Sequence, residues 1–288
     1  MISIKSSRYR AVISPTEGGR LVSLDMLDKK SIWQPLMPKP GPSPLNGQKA
    51  TAFPLIPFGG RLRDAKLLWR EKTIQLDPYP AGTLHLLHGD GARREWRVIS
   101  QGNDQVTLAL DWPSPDWPFK AYAEMRFRLC DTGLYVQQQA NATGADPVPI
   151  ALGWHPYFNL PPNSQLKLTV TSTVALDKYG FSTEDWKFHD CSKEQVIDVE
   201  QGTKLFELAN GRISLETTSK KRRLNIQIDP VFKYLVVYAP LESNVIALEP
   251  MSHSLHNLSN SILYPSKIIK GEIRVWCEHF GGSDQRPP

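Results

Sequence analysis

The sequence predicts an all-β chain: a large antiparallel β-sandwich with few short helices. Three observations point there. Apolar and polar residues alternate with period two in several separate stretches, the pattern of strands with one wet face. Prolines number 24 among 288 residues and cluster between those stretches, where strand-breaking chemistry belongs. No stretch keeps an amphipathic helical period beyond two turns. Sandwiches often run to roughly 200–250 residues as one unit. Residues 1–280 are therefore expected to form one domain, with 281–288 (Gly281-Gly282-Ser283-Asp284-Gln285-Arg286-Pro287-Pro288) a flexible tail.

Along the chain, Ala121, Ala123, Met125, Phe127 and Leu129 alternate with Tyr122, Glu124, Arg126 and Arg128. Leu166, Leu168 and Val170 alternate with Lys167, Thr169 and Thr171, and Leu224, Ile226 and Ile228 with Asn225, Gln227 and Asp229. Each predicts a half-buried strand. Tyr234-Leu235-Val236-Val237-Tyr238 and Asn244-Val245-Ile246-Ala247-Leu248 are largely apolar and predict strands covered on both faces. Connections are expected at Pro35 to Pro44, Asp77 to Pro80, Pro113 to Pro118 and Pro161-Pro162. No internal repeat is present.

Charge and cysteine usage narrow the function class. The formal net charge is +5, from 34 basic and 29 acidic residues. The main basic run, Lys220-Lys221-Arg222-Arg223, is short and precedes an alternating stretch, so a solvated turn is expected. A nucleic-acid partner would need a wider basic face with interleaved aromatics. No apolar run approaches the roughly 20 residues that span a bilayer, and the first residues carry no apolar core of signal-peptide length. Three cysteines at no metal-type spacing fit a reducing compartment. A cytoplasmic protein is expected, with neither nucleic-acid nor membrane partner, as a monomer or as a homodimer paired through sandwich edges.

Three segments carry ionisable residues beside backbone-restricting ones: Leu87-His88-Gly89-Asp90-Gly91, Gly153-Trp154-His155-Pro156-Tyr157-Phe158 and Leu248-Glu249-Pro250-Met251. His155 and Glu249 each precede a proline, which pushes them into extended geometry. Each is expected at a strand end, with its side chain leaving the sheet at a set angle. Two histidines and a carboxylate held this way suit proton transfer near neutral pH. A nearby carboxylate favours a protonated imidazole, and His155 and Glu249 are expected to approach closely. His85-x-x-His88 and His253-x-x-His256 sit on no clear helix with a third ligand, so no metal is expected.

In order, Gly18-Gly19, Phe53-Pro54-Leu55-Ile56-Pro57-Phe58-Gly59-Gly60-Arg61-Leu62-Arg63, Leu87-His88-Gly89-Asp90-Gly91 with Trp96, Trp117-Pro118-Phe119, Gly153-Trp154-His155-Pro156-Tyr157-Phe158-Asn159-Leu160 and Glu249-Pro250-Met251-Ser252-His253 make a set that resembles the aldose 1-epimerases. The likeness covers nearly the whole chain. It implies the galactose mutarotase-like supersandwich, with a sugar in an open cleft on one sheet. It implies interconversion of the α and β anomers of a free aldose, with no cofactor and no metal.

The resemblance makes Glu249 the general base, His155 the general acid, His88 a second sugar-facing histidine and Arg61 a hydroxyl-binding arginine. Trp154 and Tyr157 are expected to offer ring faces to the sugar, and His253 to support Glu249. The family's sugar-binding aspartate aligns near Thr203 or Lys204, with Asp198 the available substitute. The alternatives are a hexose-6-phosphate 1-epimerase, with Arg93-Arg94 reaching a phosphate or else forming a solvent-facing turn, and a non-catalytic carbohydrate-binding protein with the same cleft.

Overall fold

The computed structural model describes residues 1–39, 51–197, 199, 202–217, 221–240, 243–255 and 258–279 of the 288. Asp198, His256, Lys220 and the segment 281–288 lie outside the described residues.

Thirteen antiparallel strands form the main sheet. Its path runs Arg97–Gln101, Gln105–Asp111, Ala121–Cys130, Gly133–Ala142, Ile268–His279, Arg222–Ile228, Gly202–Thr217, Tyr234–Ala239, Val245–Met251 and Tyr157–Asn159. The Gly202–Thr217 strand is where the sheet forks. Its first half pairs with Tyr234–Ala239 and its second with Arg222–Ile228, while Ser164–Leu176 lies along its other edge. A four-stranded sheet, Ile2–Lys5, Tyr9–Ser14, Arg20–Leu27 and Trp33–Pro35, accompanies it. The helical segments among the described residues are three-residue 3-10 turns, at Pro15–Glu17, Arg63–Ala65, Asp90–Ala92 and Leu258–Asn260.

Alternation became burial as expected. Ala121–Cys130 alternates buried and half-buried without a break, and Leu224, Ile226 and Ile228 point inward. In Ser164–Leu176 the even positions stay buried from Leu166 to Val174, with Thr169 buried as well where the ladder shifts register near Val170. Tyr234–Ala239 and Val245–Met251 are nearly all buried, and the two faces meet different partners. Leu235, Val237, Ile246 and Leu248 join the large core that runs from Ile4 to Cys277. Val236, Ala247 and Met251 join a smaller apolar cluster with Phe53, Leu55, Tyr157, Val174 and Leu205. That cluster is the floor under the cleft.

No helix among the described residues is long and apolar enough to cross a membrane.

Candidate active site

Strand parity delivers the first side chain. In Val245–Met251 the odd positions face the floor cluster and the even ones the main core, so Glu249 faces the cleft. Here the structure corrects the expected strand end: the strand continues through Pro250, which pairs opposite Leu235. The Leu248 N–H donates to the Pro156 carbonyl at 3.2 Å. Position 250 turns its nitrogen to the same side. The same ladder resumes past the proline, where Gly153 bridges Met251 and the Ser252 N–H donates to the Leu152 carbonyl at 2.9 Å, so Pro250 interrupts it at a single position. The other edge of the His155 strand pairs with Phe53–Pro54.

His155 Nε2 lies 3.1 Å from Glu249 Oε1. Both residues are 4% exposed. The imidazole is stacked between Phe53, at 4.4 Å between centroids, and Tyr157, at 4.8 Å. Its Nδ1 finds no hydrogen-bond partner outside its own backbone. Burial governs the protonation of the pair. It drives His155 down to about 3, with the Arg20 charge pushing the same way and a contact to its own backbone opposing. It drives Glu249 up to about 8, against the pull of Arg61. The expectation that the carboxylate keeps the imidazole charged is thus reversed, because desolvation of two ions outweighs their attraction. Between those limits the pair holds one titratable proton and no net charge.

His88 stands 5.6 Å from His155, ring edge to ring face. Its φ is +56°, a left-handed backbone that costs a non-glycine residue and clusters at functional sites. The next residue must be glycine: a Cβ at Gly89 would lie 2.3 Å from Pro57 Cδ. Asp90, 2% exposed, anchors the segment by accepting from Trp112 Nε1 at 2.8 Å and Ser114 Oγ at 2.6 Å. The Gly60 N–H donates to His88 Nδ1 at 3.0 Å, which leaves the ring proton on Nε2. Burial, then His155 and Arg61, hold His88 well below the ordinary histidine range.

Gly59 is held in the same way, its N–H donating to His253 Nε2 at 3.0 Å. His253 Nδ1–H in turn donates to the Ser254 carbonyl at 2.8 Å, and burial takes His253 down to about 4. Two neutral histidines therefore pin consecutive glycines, and the next residue, Arg61, enters the cleft. His253 supports this wall rather than Glu249, as the sequence had suggested.

The cleft measures about 890 Å³. Its lining includes the buried His155, Tyr157 and Glu249, with Arg61, His88, Thr203, Tyr238, Tyr79, His85, Lys178 and Tyr179 around them. Trp154 does not belong to it. It is fully buried in the main core, because the residue next to His155 in an extended chain points to the opposite face. Of Thr203 and Lys204, where the family's aspartate was expected, Thr203 lines the cleft and lies opposite Tyr238 in the ladder.

The arginines after His88 are half-buried and paired within the chain, not the solvent-facing turn that was expected. Arg93 pairs with Asp116 at 2.9 Å and lies 4.1 Å over Tyr79, while Arg94 faces buried Asp90 at 3.6 Å. His85 Nδ1 accepts from the Asp64 N–H at 3.0 Å. Sequence reasoning missed Tyr238 and Tyr79. Tyr238 had a usable signal, since it shares parity with Val236 on the floor face.

Fold and site together define a β-sandwich of the galactose mutarotase-like type, with a buried histidine–glutamate pair in an open cleft. The aldose 1-epimerase family model matches residues 1–263, and the chain belongs to the aldose 1-epimerase family. It is 25% identical over 256 residues to the uncharacterized protein YphB of Escherichia coli K12, covering 81% of this chain and 86% of that one. A galactose mutarotase-like protein from Clostridium acetobutylicum has the same fold, with a TM-score of 0.82 at 18% identity over 96% of this chain and 95% of that one. So does the GalM/aldose epimerase homologue of C. elegans, with a TM-score of 0.79 at 18% identity over 97% and 99%.

Proposed function

We propose that the protein is an aldose 1-epimerase that interconverts the α and β anomers of a free aldose. The observation that carries this is the buried 3.1 Å contact between His155 Nε2 and Glu249 Oε1 at the floor of an open cleft. Mutarotation removes the proton of the anomeric hydroxyl and delivers one to the ring oxygen. Those oxygens share one carbon, so the base and acid that serve them must be neighbours.

Glu249 takes the proton from O1 as the C1–O5 bond breaks, and His155 protonates O5. The aldehyde turns about C1–C2, and closure on the other face returns both protons. The transfers keep the pair's proton count constant. The closed sugar faces a carboxylate and an imidazolium, and the open chain faces a carboxylic acid and a neutral imidazole. Burial favours the second arrangement, which is also that of the resting pair, so the proton crosses from Glu249 to His155 as the ring opens and the pair ends as it began. His88, neutral with its proton on Nε2, offers a donor to a sugar oxygen. Arg61 has five donors in a planar fork, suited to paired hydroxyls. Tyr157 lines the same cleft and backs the His155 ring.

The test is one-dimensional proton NMR of anomer exchange, started from a pure α-aldopyranose and run over a panel of pentoses and hexoses. Wild-type protein is expected to speed relaxation to the anomeric equilibrium. Binding without faster relaxation would leave a carbohydrate-binding protein instead.

A further inference from the structure

Arg20 lies behind the catalytic histidine and outside the cleft lining. It follows the Gly18-Gly19 turn, where Gly18 has φ +78° and a Cβ would sit 2.0 Å from the Ala92 carbonyl oxygen. That turn can only be glycine, and it sets the start of the Arg20–Leu27 strand against the Asp90–Ala92 segment. Arg20 Nη1 donates to Thr51 Oγ1 at 3.2 Å and Nη2 to the Ala92 carbonyl at 3.3 Å. So held, the guanidinium carbon lies 4.7 Å over the Phe53 ring.

The His155 ring stacks on Phe53 at 4.4 Å and an interplanar angle of 27°. Two groups at those heights cannot share one face, so Phe53 is a plate with the guanidinium behind it and the imidazole in front. Tyr157 closes the stack beyond His155.

We propose that Arg20 is a positioning residue for His155: it clamps the Phe53 plate that sets the imidazole plane, and its fixed charge opposes a second proton on that ring. This rests on the acid–base reading above. A charge one ring removed keeps the shared proton on Glu249 until a sugar oxygen draws it across. The Arg20 charge adds to burial in lowering the His155 pKa. His155 also faces Glu249, His88 and Tyr157. Arg20 itself feels Tyr79, Glu17 and Tyr157, which favour its charge and are outweighed by burial.

The competing role is a mere tie between Thr51 and Ala92. The two separate in a long-range ¹H–¹⁵N NMR titration of the His155 ring, which needs no turnover, in full-length wild type, Arg20→Met and Arg20→Lys. Arg20→Met is expected to raise the pH of second protonation by about one unit. Arg20→Lys, which keeps the charge, is expected to stay near wild type. Equal titration in all three, with both variants melting lower, overturns the proposal.

Should Arg20→Met fail to fold, Phe53→Leu keeps the arginine and removes the plate. It is expected to lower kcat roughly tenfold at unchanged KM, and an unchanged kcat sinks the clamp. Absence of anomer exchange in wild type would remove the acid–base reading while leaving the titration readable.

Discussion

His155 and His253 are each 4% exposed, and burial lowers both, yet they are wired in opposite ways. His253 is complete: one nitrogen accepts from Gly59 and the other donates to Ser254. Nothing is left for a ligand, and the ring acts as a brace. His155 is unfinished. One nitrogen meets a carboxylate, the other has no partner beyond its own backbone, and the ring is held by stacking instead of hydrogen bonds. A buried histidine with full valence stabilises a wall, and one with a single exchangeable partner stores a proton. The comparison explains why one residue type serves both uses within one fold.

The largest effect expected from that contrast is at the proton store. Glu249→Gln keeps the shape and removes the base, and should slow anomer exchange ~10²–10⁴-fold by NMR. His155→Gln should cost about as much, and the double variant little more, since the two act as a unit. Near-normal exchange in either single variant would end the assignment.

The brace should fail differently. His253→Ala leaves the Gly59 N–H without its acceptor and is expected to cost about 1–3 kcal/mol in urea unfolding. Exchange per folded molecule should fall less than in Glu249→Gln. A loss as large as that variant's would erase the distinction. Trp154→Leu sharpens the same line from the core side: it should lower stability by a few kcal/mol, roughly as core truncations do, with KM for the sugar unchanged.

Stability against pH gives the smallest and most diagnostic signal. His253 and His88 are depressed, so each contributes stability present above the unfolded value of 6.5 and lost as pH falls toward the folded one. The His155–Glu249 pair behaves otherwise. From 4.5 to 6.5 the unfolded chain carries one proton on the histidine, the native pair also carries one, and the pair is silent.

Above 6.5 the native pair keeps a proton that the unfolded chain has released. Stability should then decline toward pH 8, by up to about 1.4 kcal/mol per pH unit. Below 4.5 the pair adds to the acid loss. Urea midpoints at pH 5, 6.5 and 8 should therefore peak near the middle value. Glu249→Gln should flatten the alkaline side and, with the depressed His155 no longer balanced by a protonated carboxyl, steepen the loss below 6.5; a Gln variant that keeps the alkaline slope would show that the retained proton resides elsewhere.

Much of this was legible in the residues. Alternation in Ala121–Cys130, the doubly apolar runs flanking Glu249 and the pre-proline settings of His155 and Glu249 follow from local sterics and from the period of the strand. Parity also held the evidence against Trp154, since His155 can enter the cleft only if its neighbour turns away. Arg93 and Arg94 were misread because their partners, Asp116 and Asp90, are met only once the chain has folded. The same applies to His253, whose acceptor role depends on a glycine 194 positions earlier.

By itself the sequence determined which residues can carry a proton, which backbone positions are restricted, and that the chain folds as layered strands, because these depend on side-chain chemistry and on neighbours one to four residues away. Only the tertiary structure decided which histidine meets a buried carboxyl group and which one braces. That choice is made by burial and by partners brought in from distant strands, and no local pattern encodes the desolvation that moves a carboxyl group up and an imidazole down.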